Sequence, residues 1–273
     1  MDIESIAQAH RIVGRRGDLR AVGACLLAGR NVLLEGPVGV GKTALARAVS
    51  EGAGRGFVRV DGDSRYTESK LVGHFDPPGV LEKGYLPELF VAGPLTAAMQ
   101  KGAVLFINEL NRMPEGVQNV LLPALDEGLI VIPRFGEVRA AEGFGVVATQ
   151  NPAEFVATGH LSEALLDRFE LVALDYQGEG EERQIVSQQV RGAPSPDIIE
   201  QAVSIARQTR SDPRIRRGAS VRAAVAIADL AAQLDGDVAL AAKLALPTRI
   251  EMAATHEEVS VDRLIAEYQK KKS

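Results

Sequence analysis

The sequence predicts an α/β protein: a five-stranded parallel sheet between two layers of helices, followed by an all-helical second domain. Three observations carry that expectation. Short apolar runs alternate with helical stretches over the first two thirds of the chain, which implies a parallel sheet covered on both faces. A glycine-rich segment stands between the first such run and a helix. After Gln177-Gly178-Glu179-Gly180 the apolar runs stop and only helical patterns follow. The boundary is therefore placed at Gly178, giving domains of residues 1–177 and 178–273.

The strand candidates, in order, are Asn31–Glu35, Gly56–Asp61, Ala103–Asn108, Phe144–Gln150 and Phe169–Leu174. Thr43–Ser50, Pro94–Gln100 and Glu115–Asp126 read as helices between them. Two stretches exceed a minimal sheet-and-helix unit. Lys70–Gly93 is rich in Gly and Pro and reads as an elaborated loop. Leu129–Gly143 carries two β-like runs around Arg134-Phe135-Gly136 and reads as a projecting hairpin. Beyond the boundary, Glu181–Arg191, Pro196–Arg210, Ser220–Leu234, Val238–Met252 and Val261–Lys271 read as helices. Lys270-Lys271-Lys272 suits the carboxyl end of the last one.

Composition bounds the function. The chain has 273 residues, 25% of them charged, and a net charge of −5. That argues against a dedicated DNA-binding surface, which carries a basic excess. Its one cysteine, Cys25, allows no internal disulfide and reads as a small buried hydrophobe. The four histidines, at 10, 74, 160 and 256, lack metal-ligand spacing. Residues 1–10 have no signal-peptide core and no run reaches transmembrane length, so a soluble cytoplasmic protein without a membrane span is expected.

The chemistry starts at Gly36-Pro37-Val38-Gly39-Val40-Gly41-Lys42-Thr43, a complete G-x-x-x-x-G-K-[ST] segment between a strand and a helix. Glycines let backbone N–H groups converge on phosphate oxygens, and the helix that begins there adds its positive dipole end. Residues 36–44, Ala44 included, are thus the expected phosphate site of a P-loop NTPase for ATP or a close relative, with GTP not excluded by the loop itself. Lys42 is expected at the β- and γ-phosphates and Thr43 at Mg2+. Downstream, the apolar strand 104–108 runs into Asn108-Glu109. Glu109 stands where a carboxylate can polarise an attacking water. Asn108 occupies the place of the usual Asp. It either satisfies hydrogen bonds at a strand end or is a neutral Mg2+ donor of weaker pull than a carboxylate, and both readings stay open. Asn151, in Thr149-Gln150-Asn151-Pro152, ends another strand and either orients water or forms the turn before proline. Arg168, beside the last strand, and Arg222, in Gly218-Ala219-Ser220-Val221-Arg222-Ala223, say little individually.

Taken in order, G-P-V-G-V-G-K-T, G-P-L-T-A-A-M, L-F-I-N-E-L-N-R, A-T-Q-N-P, L-S-E-A-L-L-D-R-F and G-A-S-V-R-A resemble the MoxR branch of the AAA+ ATPases, from Ile12-Val13-Gly14 to the last helices. The resemblance implies an αβα core with a helical lid, and it implies roles. Lys42 and Thr43 correspond to Walker A, Asn108 and Glu109 to Walker B, and Asn151 to sensor 1. Arg168 corresponds to the arginine finger serving a neighbouring subunit's ATP, and Arg222 to sensor 2. Arg112 is a further interface candidate. A homo-hexameric ring, ATP hydrolysis with Mg2+, a von Willebrand factor A domain partner and a protein client are implied with them. The stretch L-V-G-H-F-D-P-P and the I-N-E ending are similar to CoxD-type proteins, which implies maturation of a molybdenum-containing carbon monoxide dehydrogenase. Two alternatives remain: a nucleic-acid motor using the hairpin's Arg134 and Arg139, diluted by Glu137 and Glu142, and a nucleotide-gated scaffold with weak hydrolysis at Asn108.

Overall fold

A computed structural model describes residues 1–151, 161–254 and 260–270. Pro152, His160, His256, Lys271 and Lys272, singled out above, lie outside them. The chain packs as two units, Met1–Pro37 with Gly41–Leu174, and Val38–Val40 with Asp175–Ser273.

The first unit opens with α1 (Ile3–Ala9), whose first turn is capped by the Asp2 carboxylate accepting the Glu4 N–H at 3.0 Å. Helix α2 (Arg16–Leu27) buries Leu19, Val22 and Leu26, a spacing that puts all three on one face. Then come β1 (Asn31–Glu35), α3 (Lys42–Gly52) and β2 (Phe57–Asp61). The region 68–92 holds α4 (Glu68–Val72), β3 (Gly73–Phe75), α5 (Pro77–Lys83) and β4 (Phe90–Ala92). Next are α6 (Pro94–Lys101), β5 (Val104–Asn108), α7 (Glu115–Asn119) and α8 (Leu121–Asp126). The unit closes with β6 (Leu129–Ile132), β7 (Gly136–Arg139), β8 (Gly145–Gln150), α9 (Glu163–Leu166) and β9 (Phe169–Ala173).

The five main strands form one parallel sheet in the order β2-β5-β8-β1-β9. The central strands are buried on both faces: all six residues of β8 are buried, as are the first four of β5. This is why they read as continuous apolar runs rather than alternating ones. The expected helix Glu115–Asp126 is two, α7 and α8, meeting at Val120. Pro123 has no N–H to give the Asn119 carbonyl, so the ladder is interrupted there.

The region expected as a loop from Lys70 to Gly93 is ordered instead. Strands β3 and β4 pair antiparallel, from Gly73 opposite Ala92 to Phe75 opposite Phe90. Aromatic packing supplies the order that its Gly and Pro content conceals. Phe75 meets Phe90 at 5.3 Å and Tyr85 at 5.1 Å between ring centroids, and Phe90 meets Phe135 at 4.4 Å. Phe135 belongs to the β6–β7 hairpin, whose turn residue Arg134 has φ +65° and lays its guanidinium 4.4 Å from the Tyr85 ring centroid. The two insertions thus share one aromatic base, while Leu81 and Val131 stand exposed beyond it.

The second unit contains α10 (Glu179–Gln189), α11 (Pro196–Ser211), β10 (Ile215–Arg217), α12 (Val221–Gln233), α13 (Val238–Ala245), β11 (Glu251–Met252) and α14 (Val261–Lys270). It is helical, with one addition to the expectation. The predicted helix Val238–Met252 stops at Ala245, shortly before Pro247, and residues 251–252 pair antiparallel with β10 as a two-stranded ribbon. The core of this unit is rich in small residues: Ala202, Ala206, Ala224, Ala228, Ala241 and Ala242 are buried, so its helices pack closely.

Glu182 is buried at 1% exposure inside this unit. Arg210 reaches it at 2.5 Å and Arg207 at 3.4 Å. Arg210 also lies 3.8 Å from the Tyr176 ring centroid and donates through Nε to the Ala219 carbonyl. Removing one member of a buried ion pair leaves an uncompensated charge. Glu182→Ala is therefore expected to destabilise the helical unit by about 3 kcal/mol, read as a lowered denaturant midpoint. An unchanged midpoint would contradict the burial argument.

Candidate active site

Strand β1 ends at Glu35 and the chain turns through Gly36 into the loop. Gly36 has φ +152°, and a Cβ there would fall 2.2 Å from the Leu174 carbonyl oxygen, so glycine is required by close approach. Gly41 precedes the first residue of α3 at φ +93°. A Cβ on Gly41 would meet nothing within 4 Å, so backbone conformation and not crowding demands glycine there. The Lys42 ammonium donates to the Gly36 carbonyl at 2.6 Å and to the Pro37 carbonyl at 3.0 Å, spanning the loop from within. Thr43 follows in the first turn of α3, partly buried. Left-handed glycines, a helix start and an ammonium over the loop form a donor set that fits a phosphate group.

The tip of the loop, Val38–Val40, packs as part of the second unit. Within that unit the Tyr176 hydroxyl donates to the Val38 carbonyl at 3.4 Å, and a Cβ on Gly39 would fall 2.5 Å from the Ser220 Cβ. Ser220 is the residue before α12, and Arg222 is exposed in that helix's first turn.

Sheet order brings three strand ends together. Strand β8 lies between β1 and β5, so the exits at Gly36, Asn151 and Glu109 are consecutive along one edge. At about 4.8 Å between neighbouring strands, the first and last are about 10 Å apart. Ligands bind at the carboxyl ends of such strands. Asn151 follows β8 and is buried. Next to it, Gln150 donates from Nε2 to Glu35 Oε2 at 2.7 Å, fastening β8 to the strand that enters the loop.

Glu109 leaves β5 in the left-handed region, φ +57° and ψ +54°. Its N–H donates to Thr149 Oγ1 at 2.8 Å, and the Thr149 hydroxyl donates to Asn108 Oδ1 at 3.1 Å. Asn108 Nδ2 in turn donates to Asp61 Oδ1 at 2.9 Å. The Glu109 carboxylate receives Arg112 Nη1 at 2.9 Å. Gly62 makes the turn compact, since a Cβ on it would fall 2.1 Å from the Glu109 carbonyl oxygen. Asp61 also holds the Arg59 guanidinium at 2.7 Å. That contact first, and the Asn108 amide with it, keep the Asp61 carboxyl below the ordinary range against the opposing effect of burial.

Arg168 stands just ahead of β9. Its guanidinium meets Asp126 at 2.6 Å and the Ala164 carbonyl. The Asp126 contact holds its pKa above the usual arginine value. Lys42, Thr43, Asn108, Glu109, Asn151 and Arg168 all belong to the first unit, and Arg222 to the second. Cys25 is half-buried rather than buried, and burial raises its thiol pKa.

Sequence reading missed Asp61 and Gly62 as parts of this edge. Asp61 ended a predicted strand, but its neighbour across the sheet is fixed by topology alone: Asp61 pairs with Asn108 in the β2–β5 register. Among the described residues no cluster of three His, Cys, Asp or Glu groups suits a metal ion, and no helix is long and apolar enough to cross a membrane.

Comparison with known proteins agrees with this geometry. The family model described as "AAA domain (dynein-related subfamily)" matches residues 31–169. The gas vesicle ATPase GvpN of Haloferax mediterranei is 31% identical over 248 residues, covering 85% of this chain and 71% of that protein. The uncharacterised protein YeaC of Bacillus subtilis is 27% identical, covering 82% and 75%. A crystal structure of a Cytophaga hutchinsonii protein superposes with a TM-score of 0.54 at 21% identity, over 98% of this chain and 93% of that one.

Proposed function

The chain belongs to the AAA-domain family, in its dynein-related subfamily, and from that premise we propose that it is an Mg2+-dependent, ring-forming ATPase of the MoxR type that remodels a protein client. The observation that carries the proposal is the sheet edge itself. One hydrogen-bonded chain, Asp61–Asn108–Thr149–Glu109, fixes the backbone of an acidic residue two strand positions away from the exit into the phosphate loop. The names of the gas vesicle relatives support ATP hydrolysis as the activity.

In this reading Lys42 and the backbone N–H groups of 36–44 bind and orient the phosphates. Thr43 and Asn108 would hold Mg2+, which when bound would neutralise negative charge on the phosphates. Glu109 orients the attacking water and draws on its proton, and Asn151 places the water from the neighbouring strand. Arg168 reaches the nucleotide of the adjacent subunit in a homo-hexamer, and Arg222 that of its own. The aromatic base joining the two insertions lets nucleotide-driven motion reach a client through the exposed Leu81 and Val131.

A protein client fits the hairpin better than nucleic acid does. Arg139 is paired with Glu137 at 3.0 Å, and Glu142 balances Arg134, so the hairpin carries no net positive charge. The sequence L-V-G-H-F-D-P-P supports a molybdoenzyme as the client, with a von Willebrand factor A domain protein as co-worker in the cytoplasm. The test is phosphate release by the purified chain with ATP and Mg2+. Wild type is expected to turn over, and Lys42→Ala to fall to background because the ammonium that bridges loop and phosphate is gone. Equal rates in the two proteins would sink the proposal.

A further inference from the structure

The tip of the phosphate loop is gripped at two points, and both grips lead back to Arg210. At the first, the Tyr176 hydroxyl donates to the Val38 carbonyl at 3.4 Å. A trans peptide carries its carbonyl and its N–H on opposite sides. Holding the Val38 carbonyl toward Tyr176 therefore aims the Gly39 N–H away from that ring. This peptide needs a hold. Gly39 has φ +83°, and glycine accepts either sign of φ, so backbone preference alone does not stop the peptide from flipping. A flipped peptide would present a carbonyl oxygen where the loop must offer a donor to phosphate. At the second point, Gly39 lies so close to Ser220 that a Cβ on it would fall 2.5 Å from the Ser220 Cβ. Ser220 is placed by Ala219 before it. The Ala219 N–H donates to Thr209 Oγ1 at 2.8 Å and its carbonyl accepts Arg210 Nε at 2.6 Å, the two partners being successive residues of α11. A Cβ on Gly218 would fall 2.7 Å from the Arg210 Cα, so the turn before α12 rests on Arg210.

Arg210 serves both grips because its guanidinium is flat and held from several sides. Nη1 meets Glu182 at 2.5 Å, Nε holds Ala219, and the guanidinium carbon lies 3.8 Å from the Tyr176 ring centroid. A compact ammonium offers neither the plane for the ring nor the fixed fork for two acceptors. Resting on the ATPase reading above, we propose that Arg210 is a positioning residue for the phosphate loop: it fixes the Tyr176 ring and the Ala219–Ser220 turn, and through them holds the Val38–Gly39 peptide in the orientation that offers the Gly39 N–H to a phosphate. Glu182 aims the guanidinium and so belongs to the same device. Burial raises the Tyr176 hydroxyl pKa above its ordinary value, so the hydroxyl keeps the proton it donates.

The experiment is equilibrium binding of a fluorescent ATP analogue to the full chain, with thermal melting and steady-state ATP turnover measured alongside. Tyr176→Phe removes the hydroxyl and keeps the ring on the guanidinium. It should melt as wild type does and bind the analogue about fivefold more weakly. Its KM for ATP should rise in step while kcat stays within about twofold, the pattern of lost uniform binding. Arg210→Lys keeps a cation for Glu182 and loses both grips, so it should bind about tenfold more weakly. Adding Tyr176→Phe to it should weaken binding by less than about twofold more, because the ring is already loose. The control is Arg214→Gln in the same unit, whose guanidinium is held by Asp212 at 2.7 Å and Glu267 at 2.8 Å. It should lower the melting temperature and leave analogue affinity unchanged. Wild-type affinity in Tyr176→Phe overturns this inference alone, and so does wild-type affinity in Arg210→Lys. An Arg214→Gln protein whose affinity falls as far as that of Arg210→Lys overturns it too, since the effect would then be one of general stability. A wild-type chain that binds no analogue overturns the ATPase reading and this inference together.

Discussion

Glu109→Gln is expected to bind ATP as tightly as wild type and to lose turnover by about 10³-fold, within the range a positioned general base contributes. The substitution is conservative where the fold is concerned. The bond that fixes residue 109 to the sheet edge runs from its backbone N–H to Thr149, and a glutamine keeps it. What is lost is the carboxylate and its contact with Arg112. That pair is partly exposed, with side-chain exposures of 29% for Glu109 and 48% for Arg112, so its removal has little effect on stability. Steady-state phosphate release together with analogue binding separates the two effects. Turnover within a few-fold of wild type would remove Glu109 from the mechanism.

Arg168→Ala should fail in a different manner. A guanidinium supplied across a subunit interface contributes about 10³–10⁵ in rate, so the variant should bind ATP and assemble yet turn over about 10³-fold more slowly. Within one chain Arg168 is tied to Asp126 at 2.6 Å, both on the same unit as Lys42, so a purely structural role would appear as lost stability instead. Mixing decides between them. Glu109→Gln subunits carry an intact Arg168, and Arg168→Ala subunits carry an intact Glu109. Mixed rings should recover turnover that neither parent shows. A mixture as inactive as its parents would place Arg168 outside the intersubunit role.

Much of this fold was legible because each main strand announced itself by a buried apolar run next to a polar exit. Asn31–Glu35 and the segment after it illustrate this: strand, glycines and helix start are all local. Thr149, Asn151 and Glu109 were equally readable as strand ends. Asp61 was not, because its meaning depends on which strand lies beside β5, and that is settled by crossovers and not by any local pattern. The insertion at Lys70–Gly93 was hidden for another reason. Its order comes from Phe75, Tyr85 and Phe90 packing on Phe135, a residue far along the chain, while its own Gly and Pro content argues for irregularity. The second unit misled only where a proline cut a strong helical pattern, at Pro247, and released residues 251–252 to pair with β10.

The left-handed backbone at Glu109 carries a consequence for how such a protein can change. A non-glycine residue held there costs about 1–3 kcal/mol, and the fold retains it because Gly62 and Thr149 fix the turn from both sides. Glycine or asparagine would sit in that conformation with less strain. Selection for heat resistance alone would therefore favour replacing the one carboxylate at this position, so durability and turnover are opposed at a single residue.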